Sequence, residues 1–375
     1  MLTYFDVVEH LITASFGGPQ DAEQRDIRTA VQRAYAEVTQ IRDWAYYHVH
    51  GRLITVPAAT ATVGGATDLS INYLELSGNI ARTDYTHVRI GDRIARIASA
   101  SSVTDWTLDP NVTFPAGSIS TGDTAVLYKT VYPLPSEFRN LDEPSDEYNW
   151  WAGLYVTPDE AMKIERVSNS SGAPYHWTVI KDPASAGWAI KLIGYPTEVE
   201  TIDFTYRRTA RALKYSGHEA VVRQGTIART STNVTGNGTA FPSDVVGSVL
   251  RIGDSTNTPG PASSITPYMS ESPITLRTSA TSIRTEAATT VASSTKYLIT
   301  DPIDLPAHMH NVMYSAAEYW LARIRNQKPD NAFAMYQRDL RLAMEMDQLA
   351  PLSGRSREIY HDGGWRSPLK PDAGA

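Results

Sequence analysis

Val88-Arg89-Ile90-Gly91-Asp92, then seven residues, then Ala100-Ser101-Ser102-Val103-Thr104, is a pattern that this chain carries twice. The second copy reads Leu250-Arg251-Ile252-Gly253-Asp254, seven residues, and Ala262-Ser263-Ser264-Ile265-Thr266, with eight of seventeen positions identical. Each copy runs on to a Leu-Pro pair, Leu134-Pro135 and Leu305-Pro306. Such agreement at fixed spacing implies a duplicated β module. Val88/Ile90 and Leu250/Ile252 alternate toward one face of a strand, and Gly-Asp is expected to supply the positive-φ turn that reverses it. The seven residues between the matching blocks share nothing. A binding loop used in both copies would need common chemistry there, so the repeat speaks for architecture.

Outward from the repeat, the hydrophobic period changes along the chain. Thr3 and Asp6 resemble a capping pair that opens a short helix to about Ser15. After Phe16-Gly17-Gly18-Pro19, a longer helix is expected from about Asp21 to Trp44, with Ile27, Val31, Ala34, Val38 and Ile41 on one face and Arg25, Arg28, Arg33, Glu37 and Arg42 on the other. Short β runs follow at Arg52–Val56, Leu74–Leu76, Val88–Ile90 and Ala125–Tyr128. Thr157 before Pro158 reads as an N-cap with proline at the first helical position, starting a helix to about Arg166. Trp188–Ile193 and Ile202–Arg207 alternate as antiparallel strands. Near the end, Met309, Met313, Ala316, Trp320 and Ile324 form one helical stripe. After a break at Gln327-Lys328-Pro329-Asp330, Phe333, Tyr336, Leu340 and Ala343 form another.

These readings give an α+β chain: a helical body with a small antiparallel sheet and two duplicated all-β insertions of barrel or sandwich type. The expected parts are N-terminal helices at 1–50, a first β module at 51–135 and a central mixed part at 136–223. A second β module follows at 224–306, C-terminal helices at 307–350 and an extended tail at 351–375.

Composition narrows the function. Among 375 residues the formal net charge is −7, which argues against a broad basic surface for sequence-specific nucleic-acid binding. No 18-residue apolar run is present, so no membrane-spanning helix is expected. The first ten residues lack a basic and then apolar signal pattern, so no secretion signal is expected. With no cysteine, disulfides, thiol catalysis and Cys-ligated zinc are excluded.

Few residues invite a chemical reading. His308 and His310, two apart on a helix, point about 200° from each other and do not suggest a metal pair. No Gly-x-Ser-x-Gly elbow occurs, and Gly236-Asn237-Gly238 lacks the rest of a phosphate loop and reads as a hairpin turn. Asp142, Glu143, Asp146 and Glu147 flank Tyr148, Trp150 and Trp151. A sugar-cleaving acid pair is one reading, and an acidic loop with aromatic anchors is the better one. The four Asn-x-Ser/Thr sequons carry no meaning without secretion. Met335, Met344 and Met346 suit core or interface filling. The expectation is a non-enzyme without metal or cofactor.

The order of segments resembles the head-to-tail adaptor proteins of tailed bacteriophages, the head-completion or tail accessory factors beneath the portal. The likeness rests on the N-terminal helix pair, a β insertion ending in Tyr132-Pro133-Leu134-Pro135-Ser136-Glu137-Phe138-Arg139, the strands Ile190-Lys191-Leu192-Ile193-Gly194-Tyr195-Pro196 and Ile202-Asp203-Phe204-Thr205-Tyr206-Arg207-Arg208, and a helix after Leu305-Pro306. The two β modules enlarge this chain beyond the simplest members. The resemblance implies a virion neck protein assembled in the host cytoplasm. It implies a homo-oligomeric ring, usually a dodecamer, docked on the portal protein and followed by a tail or nozzle protein. Double-stranded DNA would pass through its channel without sequence-specific contacts. Arg355, Arg357, Ile359, Tyr360, Trp365 and Arg366 of the tail would then be partner-binding anchors. Other tail or baseplate proteins, a cellular β-rich binding module and a carbohydrate-active virion enzyme are the alternatives.

Overall fold

The computed structural model describes residues 1–14, 21–65, 73–77, 85–100, 105–109, 114, 119–141, 154–167, 176–182, 187–262, 264 and 267–348. The chain divides into two compact units: His48–Thr209, and Met1–Tyr47 together with Ala210–Ala375. This division cuts through the central part expected at 136–223, whose strands group with the first β module. The N-terminal and C-terminal helices group with the second.

Helix α1 (Tyr4–Ala14) starts where the capping pair places it. The Thr3 amide and hydroxyl donate to Asp6 Oδ2 at 3.0 and 2.8 Å, and the Asp6 amide donates back to the Thr3 hydroxyl. Helix α2 (Asp21–Gln40) stops short of the expected Trp44. The indole N–H of buried Trp44 donates to the Val38 carbonyl at 2.7 Å, so the chain folds back over an orphan carbonyl of the last turn. Ile41 consequently leaves the buried stripe and is exposed.

In the His48–Thr209 unit, β1 (His48–Ile54) is not part of the β module. Its partner lies far along the chain, as described below. The module itself consists of β2 (Ala59–Gly65), β3 (Tyr73–Ser77), β4 (His87–Ile90), β5 (Arg93–Ala100), β6 (Asp105–Leu108) and β7 (Thr124–Tyr128). They close a barrel in the order β2-β3-β6-β5-β4-β7. Leu74, Leu76, Val88, Trp106 and Leu127 fill it. Across the β4–β5 turn Ile90 pairs with Arg93, and Gly91 takes φ +59° as the two-residue hairpin requires.

Beyond the barrel lie β8 (Val131–Pro133), β9 (Phe138–Leu141), β10 (Leu154–Tyr155), α3 (Pro158–Val167), β11 (His176–Lys181), β12 (Trp188–Ile193) and β13 (Thr201–Arg208). One sheet runs β1-β13-β9 and the other β10-β11-β12-β8. The expected alternation holds on β13, where Ile202, Phe204 and Tyr206 are buried. On β12 it fails: Ala189, Ile190, Leu192 and Ile193 are buried, while Trp188 is exposed. The pair β10–β11 is parallel, while the other pairs of that sheet are antiparallel as expected. At the start of α3 the Glu160 amide donates to the Thr157 hydroxyl at 3.4 Å, and the Thr157 amide and hydroxyl donate to the Glu160 carboxylate at 3.1 and 3.0 Å.

The second module comprises β14 (Thr226–Thr230), β15 (Asn233–Asn237), β16 (Val249–Ile252), β17 (Ser270–Ser279), β18 (Ser282–Thr285), β19 (Val291–Thr295) and β20 (Tyr297–Thr300), ordered β19-β14-β15-β18-β17-β16-β20. From β14 onward this sequence of neighbours repeats that of the barrel: first, second, fifth, fourth, third, last. Strands β19 and β20 occupy opposite edges and are separated by Lys296 alone, so the sheet curls back on itself. The matching strands β4 and β16 each lie between the next strand of their module and its last, so the first block of the repeat occupies one topological position.

The described start of the second block does not. Ala100 ends β5, whereas Ala262 lies in the loop 253–269 that joins β16 to β17. That loop replaces the expected tight turn. Gly253 is not left-handed; it is needed because an added Cβ would lie 2.4 Å from the Asn257 carbonyl oxygen. The Asp254 carboxylate accepts the Asn257 and Thr256 amides at 2.5 and 2.7 Å and pins the loop. Gly236-Asn237-Gly238 likewise ends β15; the β14–β15 hairpin turns at Ser231-Thr232.

Helices α4 (His310–Ile324) and α5 (Asp330–Gln348) complete this unit. Asn326 ends the α4 segment in the left-handed region at φ +52°, a common use of asparagine after a helix. Leu11, Ile27, Val31, Val38, Met313, Ala316 and Tyr336 are among the residues of the shared core. Of the expected α5 stripe, Tyr336 and Ala343 are buried, but Phe333 is 39% exposed and its ring lies tilted 5.1 Å from that of Tyr319.

Candidate assembly surface

The unit of helices and second module is joined by charge as well as packing. Arg251, in the repeated block, is fully buried and reaches α1: its Nη1 and Nη2 donate to the two Asp6 oxygens at 2.7 Å each. Its Nε donates to Glu271 at 2.8 Å, and its plane lies 4.5 Å from the Tyr268 ring. Burial pushes the Asp6 carboxyl up, but the hydrogen bonds and charge of Arg251 and the Thr3 donors outweigh it and hold the group below its ordinary range. The matching Arg89 of the first copy remains partly exposed and donates to the Gly91 carbonyl at 2.8 Å. One sequence block thus serves two different ends.

A groove of about 510 Å³ opens between α1, α4 and α5. Its rim carries Glu9, Glu318 and Asp339, with Arg338 beside Asp339. Tyr314, His10 and Met335 supply its aromatic and apolar surface. His10 Nε2 lies 2.7 Å from Glu318 and its ring 4.7 Å from that of Tyr314. Met335 continues into a row of exposed apolar residues along α5, with Leu342 52% and Met346 54% exposed. Their spacing places all three on one helix face. Met344, by contrast, packs against the core.

Another face of α4 carries cations. Arg33 lies 5.4 Å and Arg323 4.9 Å from the centre of the Trp320 ring, and Arg323 also approaches Tyr319. Glu37 is occupied beneath them: it accepts the Trp320 indole N–H at 2.5 Å and the Tyr336 hydroxyl at 3.1 Å. Among the described residues no carboxylate pairs with Arg33 or Arg323, and both are exposed.

The expected tail anchors Arg355, Arg357, Ile359, Tyr360, Trp365 and Arg366 lie outside the described residues, as do Asp142, Glu143, Asp146, Glu147, Trp150 and Trp151. His308 sits in a single 3-10 turn and His310 begins α4, where burial lowers its affinity for a proton. Among the described residues no group of three His, Asp or Glu side chains could hold a metal ion, and no helix is long and apolar enough to cross a membrane. The Arg33–Trp320–Arg323 cluster and the groove were not read from the sequence. The i, i+3 pair Trp320 and Arg323 is a faint local signal. His10 and Glu318 are 308 positions apart and give none. No family model, curated protein or solved structure matches this chain.

Proposed function

We propose that this chain is a structural ring subunit, a head-to-tail adaptor that docks on a phage portal and continues the DNA channel toward the tail. The observation that carries the reading is the α5 row of Met335, Leu342 and Met346, apolar side chains exposed at helical spacing next to an acidic groove. Exposed apolar rows rimmed by polar residues mark protein contacts. A closed ring needs two different faces on every subunit, and one helical layer with an acidic and a cationic face supplies the material for them. The net charge of −7 suits a channel through which DNA slides, since wide phosphate neutralisation would retain it. Work at such a site consists of surface burial between subunits, with no bond made or broken.

The test is negative-stain imaging of the chain mixed with the portal protein of the same phage. Rings seated on portals are the expected result. Free chain beside bare portals would overturn the reading.

A further inference from the structure

We infer that the Arg33–Trp320–Arg323 cluster of one subunit seats in the α1–α4–α5 groove of a second copy of this chain. This rests on the ring reading and names the two surfaces that meet. Both lie in the same compact unit. Glu318 and Arg323, on the one helix α4, are separated by about 140° around its axis, so they face different ways. Two such faces on one subunit cannot satisfy each other, and that is the condition for a head-to-tail contact that propagates.

Charge complementarity selects the occupant. The cluster presents two guanidinium groups on one indole with no carboxylate to neutralise them among the described residues. Glu37, the acid nearest in sequence to Arg33, already accepts two hydrogen bonds from ring donors. The groove is the counterpart: Glu9, Glu318 and Asp339 face it together with the single guanidinium of Arg338, which pairs with Asp339, and among the described residues the ion-pair neighbours of Glu318 and Glu9 are histidines alone, His10 and His218. Its Tyr314 and Met335 offer an aromatic and thioether floor for an indole or for Phe333. Arginine and tryptophan are the residue types that anchor protein contacts most often. A nucleic-acid backbone would also suit the cluster but would leave the acidic groove without a role.

Self-association of the full chain tests the inference without any portal. Sedimentation velocity at low salt, up to about 1 mM chain, should show reversible association that weakens as salt screens the charges. Glu318→Arg and Arg323→Glu should each weaken it about tenfold or more, because like charges then meet across the contact. An equimolar mixture of the two variants should recover it, since every groove then faces a cluster of opposite charge. The double variant carrying both changes should recover it as well. Circular dichroism identical to that of the parent excludes misfolding as the cause of a loss. Three results overturn the inference: no association by the parent at any concentration, single reversals without effect, or failure of both rescues. If the parent forms rings on portals while any of these holds, the ring reading stands and only this pair of surfaces is wrong.

Discussion

The buried Arg251 gives the sharpest prediction about stability. Asp6→Ala removes two charge-assisted hydrogen bonds of 2.7 Å from a guanidinium with no exposure, and it also removes the acceptor of the Thr3 cap. Breaking a buried pair from one side costs about 3–5 kcal/mol because the remaining charge stays desolvated. Glu271 still holds Nε at 2.8 Å, which places the expectation near the lower end, about 3 kcal/mol. A chain of two units need not unfold in one step, so a global midpoint is a poor readout. Amide hydrogen exchange resolved to α1 and β16 is the suitable assay. At tenfold per about 1.4 kcal/mol, protection there should fall about 100-fold. Asp6→Leu with Arg251→Met should restore most of it, since an apolar pair carries no stranded charge. Arg89→Ala, at the matching position of the first copy, should change protection little. A fall of less than tenfold for Asp6→Ala would refute the reasoning, as would an equal effect of Arg89→Ala.

Other outcomes follow from the same geometry. Arg229 is buried in the second module, with Nη2 lacking a hydrogen-bond partner among the described residues, and its charge is disfavoured by desolvation. Arg229→Met should therefore leave the module's thermal midpoint unchanged or raise it, and a clear fall would contradict this. The folded Asp6 carboxyl titrates below its ordinary value, so its contribution is present above about pH 4 and is lost as pH falls through the lower folded pKa. Acid titration followed by exchange in α1 should show that loss, and Asp6→Ala should remove it. Gly51→Ala would place a methyl 2.5 Å from the buried Phe204 ring, and a loss of about 1–3 kcal/mol in urea unfolding of the His48–Thr209 unit is expected. Truncation after Leu349 should preserve the circular dichroism and weaken portal binding; unchanged binding would remove the tail from the account.

Local signals carried much of the fold. The Thr3/Asp6 and Thr157/Pro158 caps fall at helix starts because capping is settled by neighbours within one turn. The repeated Val/Leu-Arg-Ile block marks the same strand in two modules because alternation and burial follow from position on a strand. What failed depended on distant partners. Gly91-Asp92 and Gly253-Asp254 are the same dipeptide, yet one is a hairpin turn and the other opens a loop held by the Asp254 carboxylate. Residues 51–56 look like the start of a module, but β1 pairs with β13, about 150 positions later in the chain. The role of Arg251 was not legible either, because its partner Asp6 is 245 positions away. The groove and the cationic cluster have the same character: they exist only once α1, α2, α4 and α5 have packed.

In the proposed function, copies of this chain join through unlike faces into a closed ring on a portal. Native mass spectrometry of the chain with assembled portal measures that directly. One dominant mass with a full complement of subunits, twelve in the usual adaptor arrangement, is expected, with no partial series at saturation. A complex with a single copy, or a portal mass that the chain leaves unchanged, would contradict it.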